Sequence, residues 1–408
     1  VPYCVPAWGW AEHQAILRCL LTGKLIEGPQ ISRLCEEIRR KTAMRYVFGF
    51  DSGQTAIYAV LKAWGAGPGD RVIMPSYCCE TVAKAIVHTG ARPLFCDIGE
   101  DYNPDTAHIL ELLNPSVKAV IFPHLFGNPG DIDKLEQDLE ERGIRKSILL
   151  VDDAAQSFGA RLNGRPVGTF GDAGIISFGP GKTMTATGGG LLLTNHSSLA
   201  ESVRRLNISK ENFVEKFKRL IYWIFFRRWR SVTLPFFPYV SRLLRMNGRE
   251  SFIPKGMCNV DATIGSLQLG KLDKLLAIRV SRKQVLDGLS ARQRSPVLVK
   301  RTPQQTTEKP RFNAATKYLV RIDTAAPENL QGLFALFMHK EGIEIQSLYF
   351  PIHLNPAYSS EKQALYKTEA IYQSVLQIPL EPSIQSADFE HVVQSFVGFT
   401  RTLRNHLD

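Results

Sequence analysis

No apolar run in this chain comes near the ~20 residues needed to cross a bilayer; the longest, IYWIFF, covers 221–226. That stretch does not span a membrane. Cysteine is sparse and odd in number, seven residues at 4, 19, 35, 78, 79, 96 and 258, and no pair has the two-residue spacing of a zinc knuckle. A disulfide framework and a structural zinc site are both disfavoured, and reduced thiols are the simplest reading. The opening VPYCVPAWGWAEHQ has no initiator Met, basic leader or signal-like apolar run, and no internal repeat follows. The expected location is the cytoplasm.

What is present is ordinary globular composition, 44% hydrophobic, 22% charged and 10% aromatic, which argues against a disordered, collagenous or coiled-coil chain. The length of 408 residues is a little under three times the ~150 that serve as a soft prior per domain, so a short binding module is excluded. Fifty Lys and Arg against 39 Asp and Glu give a net charge of +11. That excess is concentrated: residues 213–247 hold eight basic residues and one acid, +7 of the +11. The remaining +4 is unremarkable for a globular chain of this size.

From Tyr46 to Asn195 short Val-, Ile- and Leu-rich runs alternate with helical patterns: YVFGF before GQTAIYAVLKAW, RVIMP before ETVAKAIVHTG, ARPLFCDI before PDTAHILELL, VKAVIFP before DIDKLEQDLEERG, then SILLVDD. This rhythm predicts an α/β domain with a mostly parallel sheet covered on both faces. Asn103 and Pro104 supply an N-cap and first-turn signal. A long helix is expected over roughly 261–286, followed by a small α+β region. The expected division is a large domain over 1–255 and, over 256–408, a linking helix with a small C-terminal domain.

Three segments stand at predicted strand ends, where open α/β sheets bind ligands. Asp51-Ser52-Gly53-Gln54-Thr55-Ala56 is a strand-to-helix junction, either a plain N-cap or an anion cradle of backbone N–H groups. Val151-Asp152-Asp153-Ala154-Ala155-Gln156 closes a buried strand with two acids, which is costly unless something positive or hydrogen-bonding meets them. The alternative is a capped turn with solvated carboxylates; for a metal site, no His or third acid lies at ligand spacing nearby. Ser177-Phe178-Gly179-Pro180-Gly181-Lys182 holds a lysine in a Gly/Pro-constrained loop between strands, and Thr187-Gly188-Gly189-Gly190 follows. Such a lysine either forms a Schiff base or binds phosphate, although the P-loop spacing is not met.

In order along the chain, TGKLIEGPQI, DSGQTA, VIMPSY, GARPLFCDI, HLFGNPGDID, DDAAQSFGA, GTFGDAGIISFGPGK, GGGLLLTN, LQLGKLDKL and LYFPIHLNPAY resemble the motifs of the DegT/DnrJ/EryC1/StrS sugar aminotransferases. The resemblance covers about 20–207 and 257–400. It implies pyridoxal phosphate fold type I, the aspartate aminotransferase-like large domain with a small α+β domain, and pyridoxal 5'-phosphate as cofactor. Lys182 would hold the cofactor's aldehyde and then move the proton. Asp153 would pair with the pyridine nitrogen, Gln156 would face the ring hydroxyl, and Ser52, Gly53, Gln54 and Ser177 would hold the phosphate. The implied reaction moves an amino group, with glutamate as donor, onto a keto group of a nucleotide-activated sugar or related carbohydrate. The resemblance also implies a homodimer with sites at the interface.

Three departures stand out. The family's ring-stacking aromatic falls on Cys79, with Tyr77 two residues earlier, leaving either one to cover the ring. The Asn-Tyr-Arg-Met run that reaches a neighbouring subunit's cofactor aligns with Pro254-Lys255-Gly256-Met257, leaving Lys255 or Asn259 as substitutes. The third is the insertion at 213–247. Trp223, Phe225, Phe226 and Trp229 among Arg227, Arg228 and Arg230 suit the surface of an anionic membrane, at its inner face, or a subunit-interface flap; nucleic acid is disfavoured for lack of any motif. His124 and His353 read more readily as packed structural histidines than as substrate contacts. Alternatives in function are a catalytically weakened scaffold or regulatory protein of the same fold, a dehydratase, and a cyclitol aminotransferase. Lys182 disfavours the dehydratase that carries histidine there.

Overall fold

The computed structural model describes residues 1, 5–221, 252–292, 310–321, 329–345, 349–358 and 363–407. Nine strands precede residue 195: β1 (Tyr46–Phe50), β2 (Arg71–Pro75), β3 (Arg92–Cys96), β4 (Val117–Pro123), β5 (Leu149–Asp153), β6 (Arg161–Leu162), β7 (Arg165–Pro166), β8 (Ala173–Ser177) and β9 (Gly190–Thr194). Seven of them form one sheet in the order β1-β9-β8-β5-β4-β2-β3. Every pairing from β8 to β3 is parallel, while β9 runs antiparallel to both neighbours, so β1 and β8 point the same way. The carboxyl ends of β1, β2, β4, β5 and β8 therefore share one edge.

Helices α1 (Trp10–Leu21), α2 (Gln30–Thr42), α3 (Gly53–Ala63), α4 (Glu80–Thr89), α5 (Thr106–Leu112), α6 (Ile132–Glu141) and α7 (Ser197–Arg204) cover the two faces. The strands read as continuous apolar runs because successive residues enter different cores: Leu192 packs with α3 and α4, while Leu191 and Leu193 pack with α2. The cap of α5 differs from the sequence expectation. Asp105, not Asn103, accepts the N–H groups of Ala107 and His108, and Asn103 turns inward to accept the Leu125 N–H.

Beyond residue 195 come α8 (Phe213–Ile221), α9 (Asn259–Gly270) and α10 (Leu272–Arg292). The single long helix expected there is broken at Lys271, whose ammonium bonds the buried Glu12 carboxylate. The C-terminal part holds β10 (Arg311–Phe312), which pairs with β6, the antiparallel pair β11 (Tyr318–Arg321) and β12 (Val375–Ile378), and helices α11 (Leu330–Lys340), α12 (Tyr366–Ser374) and α13 (Ser386–Leu407). Phe334, Phe396 and Phe399 pack edge-to-face at its centre. This part docks on the sheet's carboxyl edge: Asp97, just past β3, accepts the Lys367 and Thr368 N–H groups and so caps α12. Among the described residues no helix is long and apolar enough to cross a membrane.

Candidate active site

Because β5 and β8 are adjacent and parallel, the segments that leave them meet. Asp153 ends β5, buried, and accepts the Ala155 N–H at 2.9 Å. Burial pushes its carboxyl above the usual range, while that N–H and the positive charge of Lys182 pull the other way. The two acids of the strand thus separate by face. Asp152 turns away from the lysine: its Oδ2 accepts the Gly168 and Phe170 N–H groups, and its Oδ1 lies 3.0 Å from His124 Nε2. His124 Nδ1 accepts the Gly130 N–H at 2.8 Å, which leaves the proton on Nε2, facing Asp152. His124 is therefore a packed histidine.

Gln156 is fixed by the Phe126 N–H, which donates to Oε1 at 3.3 Å and leaves the amide NH2 as a donor. At the next position along the edge, Ser52 is the N-cap of α3; its Oγ accepts the Thr55 N–H at 3.1 Å. The cap does not use the first-turn N–H groups of Gly53 and Gln54. Gly53 also brings Ser177 to this point: a Cβ at residue 53 would stand 3.1 Å from Ser177 Cβ. Between β1 and β8 lies the glycine run opening β9. A Cβ at Gly190 would stand 2.4 Å from both Gly53 N and Ser52 C, so only glycine lets the strand pass under α3.

Tyr77 is fully buried among Phe126, Tyr349 and Tyr372, with no surface left to cover a ligand ring. Cys79 is only partly buried, at the N-cap of α4. Tyr349 comes from the C-terminal part to the same turn; burial pushes its hydroxyl well up, and the charges of Cys79, Cys78, Tyr77 and Asp153 act in the same direction. His353 links that segment to β2: its Nδ1 lies 2.6 Å from Ser76 Oγ and its Nε2 3.1 Å from Glu369. Ser76 is wholly buried, so this is a latch between elements and not a nucleophile. Neither substitute for the cross-subunit contact is uncommitted. Lys255 bonds Glu211 at 2.8 Å, and Asn259 holds Lys24 O and the Gln30 N–H.

Most of the insertion, 222–247, lies outside the described residues. Its first nine residues form α8, which inverts the simple expectation: Lys216 and Leu220 are buried, and Phe213, Val214 and Phe217 are exposed. Lys216 Nζ donates to Asp261 Oδ2, and Thr187 Oγ1 donates to Asp261 Oδ1. Sequence reasoning missed this pair and Arg279, whose guanidinium donates to the Lys182 and Thr183 carbonyls. A signal for Arg279 existed, since it shares the helical stripe of buried Leu272 and Leu276.

A mostly parallel sheet with a strand-end acid and a loop lysine at the neighbouring strand end is consistent with the large domain of a fold type I enzyme, a class that uses pyridoxal phosphate. The profile of the DegT/DnrJ/EryC1/StrS aminotransferase family matches residues 8–397, and the chain belongs to that family. It is 26% identical over 405 residues to the spore coat polysaccharide biosynthesis protein SpsC of Bacillus subtilis (strain 168), covering 97% of this chain and 96% of that one. GDP-perosamine synthase of Caulobacter vibrioides is 27% identical over 392 residues, 94% and 93% of the two chains. Among solved structures, the aminotransferase TlmJ from Streptoalloteichus hindustanus superposes with a TM-score of 0.78 at 26% identity, covering 98% of each chain.

Proposed function

We propose that this protein transfers an amino group from glutamate to a keto group of a nucleotide-activated sugar or related carbohydrate. The observation that carries the reading is that the buried Asp153 ends β5 beside β8, the strand that leads into the Lys182 loop, with the lysine's charge acting on its carboxyl. The names of SpsC and GDP-perosamine synthase support a carbohydrate acceptor. The donor set fits pyridoxal phosphate: glycine at 53 keeps open a space that a Cβ would fill against Ser177, and N–H groups at the start of α3 suit a dianion. When bound, that cofactor supplies an aldehyde for the amino group and a ring that withdraws electrons from the neighbouring carbon.

The chain's own groups divide the remaining work. Gly53, Gln54 and Ser177, with Ser52 shaping the turn, hold the phosphate. Asp153 faces the ring nitrogen, where a cation would relieve the cost of its buried charge. The Gln156 amide would donate to the ring hydroxyl, and Cys79 would lie against the ring. The Lys182 amine would carry the proton from the donor's α-carbon to the cofactor carbon, and in the reverse sense from the cofactor carbon to the acceptor carbon. Glutamate leaves as 2-oxoglutarate, and the sugar's oxo oxygen is replaced by an amino group. Incubation with glutamate and a panel of nucleotide-linked keto sugars, followed by mass spectrometry, tests this. Stoichiometric 2-oxoglutarate and an amino sugar product support it, and no exchange with any keto sugar overturns it.

The same reading includes a homodimer and contact of the insertion with an anionic membrane face. The exposed Phe213, Val214 and Phe217 of α8 support the second, directly ahead of WIFFRRWR. Because Lys216 belongs to the body of the protein, the deletion that tests it begins after Ile221. Flotation with anionic liposomes that is lost on deleting 222–247 supports the contact; unchanged flotation, or none by the intact chain, refutes it.

A further inference from the structure

The loop that carries Lys182 has little secondary structure to hold it. Its base is closed by two backbone bonds, Phe178 N–H to Gly189 O and Ala186 N–H to Phe178 O. Between them the chain turns sharply at Gly181, whose φ of +68° strongly favours glycine. Two side chains from distant parts of the sequence grip the outer arc. Arg279 of α10, 5% exposed, donates from one guanidinium nitrogen to Thr183 O and from the other to Lys182 O, both at 3.2 Å. The Trp8 indole N–H donates to Thr185 O at 2.8 Å.

We propose that Arg279 is a positioning residue for Lys182: its fork on two successive carbonyls fixes the backbone from which the lysine side chain departs. The planar guanidinium suits this task because its donors are held at a fixed spacing, which an ammonium cannot reproduce. A carbonyl once bonded cannot rotate without breaking the fork, so the lysine's Cα–Cβ direction is set before any cofactor arrives. The charge on the guanidinium is met by carbonyl dipoles, and those carbonyls would otherwise be poorly paired within a buried loop. The inference rests on the reading of Lys182 as the catalytic lysine, but one arm of its test does not.

That arm is hydrogen exchange on the cofactor-free protein, comparing wild type with Arg279→Gln, Arg279→Lys and Trp8→Phe. Arg279→Gln is expected to speed amide exchange in 181–186 by about tenfold or more, the loss of roughly 1.4 kcal/mol of local protection, with β4 and β5 unchanged. Arg279→Lys keeps one donating nitrogen and falls between, and Trp8→Phe speeds the same stretch. In the loaded enzyme, Arg279→Gln lowers kcat while KM for the amino donor holds, and slows borohydride trapping of cofactor on Lys182. Unchanged exchange in 181–186, or a rise spread equally over the sheet, overturns the proposal. If wild type traps no cofactor on Lys182 at all, the functional reading fails while the exchange arm still decides the clasp.

Discussion

Replacing Lys216 by methionine tests how the atypical segment is joined to the catalytic edge. Lys216 and Asp261 have side chains 2% and 1% exposed, so their pairing is not screened by solvent as a surface pair would be. Methionine keeps the apolar stem and removes the charge, leaving the Asp261 carboxylate with Thr187 and the first turn of α9. Breaking one side of a buried pair costs about 3–5 kcal/mol, and the helix end retains about 0.3–1 kcal/mol of favourable field, so about 3 kcal/mol is expected. Denaturant unfolding reads it as a lower midpoint at unchanged slope. Lys216→Met combined with Asp261→Asn should recover at least half of the loss, because the orphaned charge is gone. Cofactor affinity should fall as well, since Thr187 leads into Gly189, whose N–H bonds Asp51 O beside the cradle. A loss below about 1 kcal/mol, the range of an exposed pair, would refute the reasoning. So would additivity of the two substitutions within about 0.5 kcal/mol.

Further expectations follow from the same geometry. Asp153→Asn keeps the shape and removes the charge that would face the ring nitrogen; kcat should fall by at least about a hundredfold, about 2.7 kcal/mol of barrier, in steady-state kinetics with the fold intact. Gly190→Ala places a methyl 2.4 Å from backbone atoms of Ser52 and Gly53, where no side chain can swing aside. A cost at or beyond the upper end of about 1–3 kcal/mol for overpacking is expected from denaturant melts, together with weaker cofactor binding. For Glu12, burial works to raise the carboxyl, but bonds from Lys271, the Gly9 N–H and Gln268 outweigh it and leave it below the usual range. A lowered folded-state value means stability that is present above the unfolded value and lost as pH falls through the folded one. Glu12→Gln should therefore flatten the acid limb of a stability–pH profile and leave its neutral-to-alkaline shape unchanged.

The sheet was legible because Val-, Ile- and Leu-rich runs between helical patterns report a local property, burial on both faces. Asp153, Lys182 and the Ser52–Gln54 turn stood out for a related reason: each is an unusual residue at a strand end. Contacts made across the chain left fainter marks. His124 and Asp152 are 28 residues apart and meet only because β4 and β5 pair in register, Pro123 beside Asp153. Lys216 reads as one more cation in a basic stretch, and only the fold turns it inward. That Tyr77, two residues before Cys79, packs inward against Phe126 and Tyr349 is another contact the sequence does not show. The pairing of Lys271, where the helix breaks, with Glu12 joins residues more than half the chain apart.

The central claim is that Lys182 and Asp153 form the reactive centre of a pyridoxal phosphate transaminase, and the visible spectrum tests it most directly. Wild type mixed with pyridoxal phosphate should develop a visible band that borohydride fixes onto Lys182, that glutamate bleaches, and that Lys182→Ala lacks. A protein that stays colourless with the cofactor, or a band that survives in Lys182→Ala, would contradict it.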